Sequence, residues 1–196
     1  MQKRLVFILA TVAILAGAAL GLYLEGSREV KGYPGLGGDF TLQSEAGDVS
    51  LADFRDKVTI VYFGYTNCPD ACPIGLGKIS AALQKMEPEQ IAQVQVLLIS
   101  IDPERDTPEI LAKYTAFFGK NFLGLGGTPE QIATVANNYK VLYQRVDMPD
   151  SGLEYTVDHS SNTYIVGKNG VVRFIVSHSS NWKEYRERII DSINGV

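Results

Sequence analysis

Both cysteines of the chain fall in one six-residue stretch, Cys68-Pro69-Asp70-Ala71-Cys72-Pro73, directly after a charge-free run from Val58 to Tyr65. A run without polar alternation marks a strand buried on both faces. Leu76, Ile79, Leu83 and Met86 follow at helical spacing, and Pro88 closes that element. The pair therefore sits where a central strand hands over to a helix. Pro73 suits the first helical position, which would set Cys72 at the N-cap, where orphan N–H groups and the helix dipole stabilise a thiolate. A disulfide closing so short a loop would remove little entropy from the unfolded chain. Paired thiols in this position point instead to soft-metal ligation or disulfide exchange.

The elements around the pair define the fold class. Phe40–Leu42 and Val49–Leu51 flank Ala46-Gly47-Asp48 and read as a hairpin. Val94–Ile101 is a second buried strand. Thr107-Pro108-Glu109 opens a helix through Phe118, with Gly119 closing it. Thr128-Pro129-Glu130-Gln131 has capping-box spacing and starts a helix to about Asn138. Val141–Val146 and Thr163–Val166 are strands, Lys168-Asn169-Gly170 turns the chain into Val171–Val176, and Trp182, Tyr185, Ile189 and Ile193 mark a last helix. Strand–helix–strand–helix followed by a hairpin and a helix is the thioredoxin-like α/β order, a central mixed sheet flanked by helices.

Leu5 to Leu24 contains no charge and, at about 1.5 Å per residue, reaches roughly 30 Å, the thickness of a bilayer core. Lys3 and Arg4 precede it, so residues 1–4 are expected in the cytoplasm and the rest outside. Ala16-Gly17-Ala18 resembles a signal-peptide cleavage site, but signal h-regions are shorter, and residues 5–24 read as an uncleaved transmembrane anchor. Residues 25–38 carry seven glycine, serine and proline positions from Gly26 to Gly38 and read as a flexible tether; 39–196 is one domain. The expected location is a single-pass inner-membrane protein with its domain in the periplasm, an oxidising compartment. Without Lys3 and Arg4, 16 basic residues stand against 22 acidic ones, a net −6, which argues against nucleic acid as a partner.

His159, in Tyr155-Thr156-Val157-Asp158-His159-Ser160-Ser161, lies in a polar stretch ahead of the Thr163–Val166 strand. In thioredoxin-like folds the loop before that strand faces the cysteine-bearing turn, which makes His159 a candidate third ligand, with Asp158 as the group that orients its ring. His178 reads as a solvated loop residue, and Met148 as an ordinary loop residue. In Asp102-Pro103-Glu104-Arg105-Asp106-Thr107-Pro108, a turn and a helix cap account for Asp106 and Thr107, while Glu104 and Arg105 are candidates for a partner surface. Asp70, between the cysteines, is expected to be exposed.

Phe63 to Pro73, Asp102 to Pro108 and Val157 to Ser161 together resemble the three marked segments of the Sco/SenC copper proteins, and the likeness runs over residues 38–194. The chain departs from the family pattern at Asn67, Gly75 and Gly77, the two glycines weakening a helix. The resemblance implies a thioredoxin-like domain behind a membrane anchor, binding one copper ion, Cu(I) or Cu(II), through Cys68, Cys72 and His159. It further implies a metallochaperone for the dinuclear CuA site on cytochrome c oxidase subunit II, served by a thiol reductant and by another copper chaperone. The alternative is a membrane-tethered thiol–disulfide reductase acting on the CuA cysteines through Cys68 and Cys72. Thioredoxin-like oxidoreductases keep a proline before the strand that matches Thr163–Val166, whereas this chain has none after Pro149. Neither cysteine has a threonine three residues earlier, as a peroxiredoxin would need.

Overall fold

The computed structural model describes residues 32–149 and 154–196, together with Gly17 and Gly152. The expected anchor over 5–24, Gly17 apart, and the tether up to residue 31 lie outside the described residues. No helix among the described residues is long and apolar enough to cross a membrane. Gly32–Val196 forms one compact unit.

Two short strands, β1 (Thr41–Ser44) and β2 (Gly47–Ser50), pair antiparallel with Ser44 opposite Gly47, so the tight turn is Glu45-Ala46, one residue earlier than predicted. A 3-10 turn at Leu51–Phe54 replaces the end of the predicted second strand. The chain then enters β3 (Val58–Gly64), every residue of which is buried. α1 (Ala71–Leu83) follows, then α2 (Pro88–Ile91), β4 (Val94–Ser100), α3 (Pro108–Ala116), β5 (Phe122–Leu125) and α4 (Pro129–Asn138). β6 (Tyr143–Met148) and β7 (Glu154–His159) form a separate antiparallel pair, and β8 (Thr163–Val166), β9 (Val172–Val176) and α5 (Trp182–Asn194) end the fold.

The central sheet has the order β5-β4-β3-β8-β9. β3, β4 and β5 run parallel, while β8 and β9 are antiparallel to their neighbours. This is the mixed thioredoxin-like sheet read from the sequence. Parallel β3 and β4 need a crossover, and α1 supplies it. α1 and α5 pack on each other. Strand alternation sends Tyr62 and Gly64 toward α1, where they meet Gly75 and Cys72, and sends Phe63 the other way onto Tyr139 past the end of α4. Phe63, Tyr139 and Tyr164 form a buried aromatic triangle with ring centroids 5.1–6.1 Å apart, a geometry worth about 0.5–1.5 kcal/mol per pair beyond burial.

Three local expectations are corrected, and one strand went unread. Pro88 does not merely end the first helix: Glu87 and Gln90 cap each other's backbone, and Pro88 is the first residue of the short α2. β5 has only four residues in a glycine-flanked stretch, too little pattern to read. β7 extends to His159, so the histidine ends a strand rather than sitting in a loop. Residues 32–38, predicted to be flexible and to pack no core, lie on the domain. Tyr33 N–H donates to the Val172 carbonyl at 2.8 Å, Gly37 N–H donates to that of Asn138 at 2.9 Å, and Leu36 packs on the core.

Candidate metal centre

The carboxyl end of β3, the first turn of α1 and the end of β7 converge on three side chains. α1 begins one residue before Cys72, with Asp70 as its N-cap, so Cys72 lies inside the first turn rather than at the cap. Pro73 is the third helical residue, where its missing N–H still costs no intrahelical bond. The Cys72 backbone N–H, one of those orphan donors, points at Cys68 Sγ at 3.4 Å. Cys72 itself has 0% exposure, and both cysteines are free thiols, with Cys68 half-buried.

Cys72 fits only because Gly64 beside it carries no side chain. A Cβ on Gly64 would stand 2.7 Å from Cys72 Sγ. Gly75 has the same explanation one turn on: a Cβ there would meet the Tyr62 hydroxyl at 2.7 Å, and that hydroxyl donates to the Ala71 carbonyl at 3.2 Å. The helix-weakening glycine is therefore required by the buried Tyr62 ring. Gly77 meets nothing within 4 Å and has no such reason.

His159 Nε2 lies 3.8 Å from Cys72 Sγ, while Nδ1 is 3.2 Å from the Ser160 carbonyl. A carbonyl can only accept, so Nδ1 carries the proton and Nε2 turns its lone pair toward the thiols. Asp158 does not orient the ring; it alternates away from His159 on β7 and is exposed. The Tyr65 ring packs edge-on to the imidazole, centroids 6.2 Å apart. The three ligand atoms lie within 4.8 Å of one another, a spacing one metal ion could span.

The two thiols differ electrostatically. The hydrogen bond from Cys72, with those from the backbone N–H groups of Cys72 and Asp70, holds Cys68 far below the ordinary thiol range against the opposing cost of burial. Cys72, as the donor in that bond and almost completely buried, is pushed far up. The reduced pair thus shares one proton, with Cys68 the thiolate and Cys72 the thiol.

Other residues singled out in the sequence take different places. Asp106 is buried rather than a cap residue: it accepts from Thr66 N–H at 3.0 Å, from the Thr66 hydroxyl and from Ser100 Oγ at 2.6 Å, tying the turn before Cys68 to the end of β4. Burial raises its pKa. Thr107 does cap α3, accepting from Ile110 N–H. Arg105 turns inward onto Tyr155 rather than toward a partner, whereas Glu104 is exposed. His178 is half-buried, and Lys78 Nζ donates to its carbonyl at 2.6 Å. It is not among the clustered ligand atoms. Met148 ends β6, and Asp70 is exposed. Tyr65 escaped the sequence reading: its hydroxyl bonds Thr156 Oγ1 at 2.8 Å and accepts from Val157 N–H at 3.3 Å, fastening β7 beside the cysteine turn. No signal short of the fold places a tyrosine against a strand 91 residues away.

The SCO1/SenC family model matches residues 29–194. This chain belongs to that family. A SCO2-like protein from Rickettsia felis is 35% identical over 182 residues, covering 87% of this chain and 88% of that one. Among solved structures, Arabidopsis thaliana ScoI with copper bound superposes with a TM-score of 0.76 at 33% identity, covering 82% of this chain and 99% of that one. BsSco, described as a member of the Sco family of cytochrome c oxidase assembly proteins and as having a disulfide switch, gives 0.65 at 27%, over 86% and 98% of the two chains. Structures of the family thus include copper-bound forms, and this chain carries a Cys–Cys–His group.

Proposed function

We propose that the protein is a membrane-anchored copper carrier that binds one copper ion through Cys68, Cys72 and His159 and delivers it to the CuA site of cytochrome c oxidase subunit II. The observation that carries this reading is the convergence of two reduced sulfurs and one imidazole nitrogen within 4.8 Å. Two thiolates and an imidazole suit Cu(I) and also Cu(II), whereas a structural zinc site usually takes four protein ligands. The donors fit the ion without rebuilding. Nδ1 is already committed to Ser160, so Nε2 is available, and the shared proton on Cys72 is the one that binding would release. A carrier must hold its ion and still give it up, and the half-exposed Cys68 and His159 leave an incoming ligand two approaches. The uncharged 5–24 span and the basic residues before it support an inner-membrane anchor with the domain in the periplasm.

A second reading, thiol–disulfide reductase, draws on the same pair. A Cys68 thiolate beside a Cys72 thiol is the arrangement that attacks a disulfide and then resolves the mixed disulfide, passing two electrons to the acceptor as Cys68–Cys72 closes. His159 separates the two, because exchange needs no third ligand. His159→Ala and Cys68→Ser are compared under limiting copper, with oxidase activity as readout. The carrier reading expects both variants to fail, while the histidine variant still forms and breaks the disulfide in isolation. Full oxidase activity in His159→Ala beside none in Cys68→Ser would replace the carrier with the reductase.

A further inference from the structure

β6 and β7, the hairpin that ends in His159, are hydrogen-bonded as strands only to each other among the described residues. β6 is exposed along most of its length, so packing of its own side chains does little to fix it. Besides the Tyr65 contacts to Thr156 and Val157, the hairpin is gripped at Tyr155, which is buried to 5% exposure. Its hydroxyl donates to Asp102 Oδ1 at 2.7 Å. Asp102 is buried too and also accepts from Arg105 Nε, while Arg105 Nη1 donates to the Tyr155 carbonyl at 3.1 Å. The Arg105 and Arg145 guanidiniums each stand 3.6 Å from the Tyr155 ring centroid. Two planar cations cannot share one face at that distance, so the ring is held between them. Arg145 in turn reaches Glu104 at 2.7 Å.

The segment Asp102–Arg105 thus closes around one tyrosine of the hairpin, from loop, strand and ring at once. His159 lies four residues further along the same strand, about 13 Å away at strand rise. A strand is stiff over that length, so what fixes Tyr155 fixes the reach of His159 toward the thiols. We infer that Tyr155, held by Asp102, Arg105 and Arg145, is a positioning residue: it latches the hairpin so that His159 Nε2 stays within ligating distance of Cys68 and Cys72. This rests on the proposed ligand set and assigns a role to the Asp102–Arg105 motif, which the ligand set leaves unused.

The test is a double-mutant cycle read by competition for Cu(I) against a chelator, with amide hydrogen exchange on the metal-free protein alongside. Tyr155→Leu is expected to weaken Cu(I) binding about tenfold, in line with other supports of metal ligands. In a His159→Ala background it should weaken binding no further, because the latch acts through the histidine. In metal-free protein the Val157 amide, bonded to Tyr65, should exchange faster in Tyr155→Leu. Equal weakening in both backgrounds, or unchanged Val157 exchange, would overturn the latch. If Tyr155→Leu does not fold, Tyr155→Phe, which keeps the ring between the guanidiniums, and Arg145→Gln, at an exposed position, are expected to show the same pattern in smaller measure. Failure of the wild-type protein to take up Cu(I) would overturn the ligand set, and the latch would then stand or fall on exchange alone.

Discussion

Gly64→Ala isolates the steric requirement of the site. The added methyl would lie 2.7 Å from Cys72 Sγ, 3.0 Å from Tyr62 Cε1 and 3.4 Å from Leu98 Cδ1. Ordinary contact begins near 3.4 Å, so the sulfur or the strand must yield by about 0.7 Å, in a core packed as densely as an organic crystal. The strand has little freedom: Gly64 is paired with Ser100 on β4, and its carbonyl accepts from Ile101 N–H. Overpacking of this kind costs about 1–3 kcal/mol, hence a fall in Tm of roughly 2–12 °C for a domain of this size. Metal sites tolerate deviations of about 0.2 Å in ligand distance, so a sulfur moved further should also weaken copper binding, by about tenfold for each 1.4 kcal/mol. Thermal unfolding of the metal-free domain and Cu(I) competition measure the two effects separately. Gly77→Ala, on the helix that carries Cys72 but in open space, is the control and should stabilise by about 0.5–1 kcal/mol. A Gly64→Ala protein as stable as wild type, with undiminished copper affinity, would refute the idea that this close approach seats Cys72.

Two further outcomes are expected. Asp106→Ala leaves the Thr66 N–H and two hydroxyls without their shared acceptor, at about 1–3 kcal/mol for each buried group so stranded; chemical denaturation should show a loss of several kcal/mol, and a loss below about 1 kcal/mol would mean the carboxylate does not hold the cysteine turn. With metal absent, iodoacetamide should modify Cys68 and spare Cys72, and because the Cys68 pKa is lowered its rate should hold nearly constant from pH 8 down to pH 6, where an ordinary thiol loses about tenfold per unit; equal modification of both cysteines, or a tenfold fall per unit for Cys68, would contradict the assignment of thiolate and thiol.

How far the sequence speaks depends on the distance over which each residue acts. β3 and β4 are legible because a strand buried on both faces must be apolar throughout, and α4 because Thr128, Pro129 and Gln131 cap it locally. Cys68 and Cys72 are legible for the same reason, the strand-to-helix turn being written within a few residues. Arg105, by contrast, is a charged residue in a charged loop, and nothing nearby says that its guanidinium covers a tyrosine 50 residues on. Asp106 looks like a helix-cap residue beside Thr107, and only the return of β4 alongside β3 brings Thr66 to it. Gly75 reads as a flaw in a helix until the Tyr62 ring is seen to occupy the space its side chain would need.

The unequal burial of the two cysteines bears on carrier and reductase alike. Cys72, sealed behind Gly64 and Tyr62, can meet no partner directly, so a disulfide acceptor must be attacked by Cys68 and an incoming copper ligand must first displace Cys68 or His159. Disulfide exchange therefore begins at the half-buried sulfur and finishes on the buried one. The two chemistries diverge at His159, which disulfide exchange can do without and a three-coordinate copper site cannot. That places the decision between the two readings on the hairpin β6–β7 and on the contacts through Tyr65 and Tyr155 that hold it.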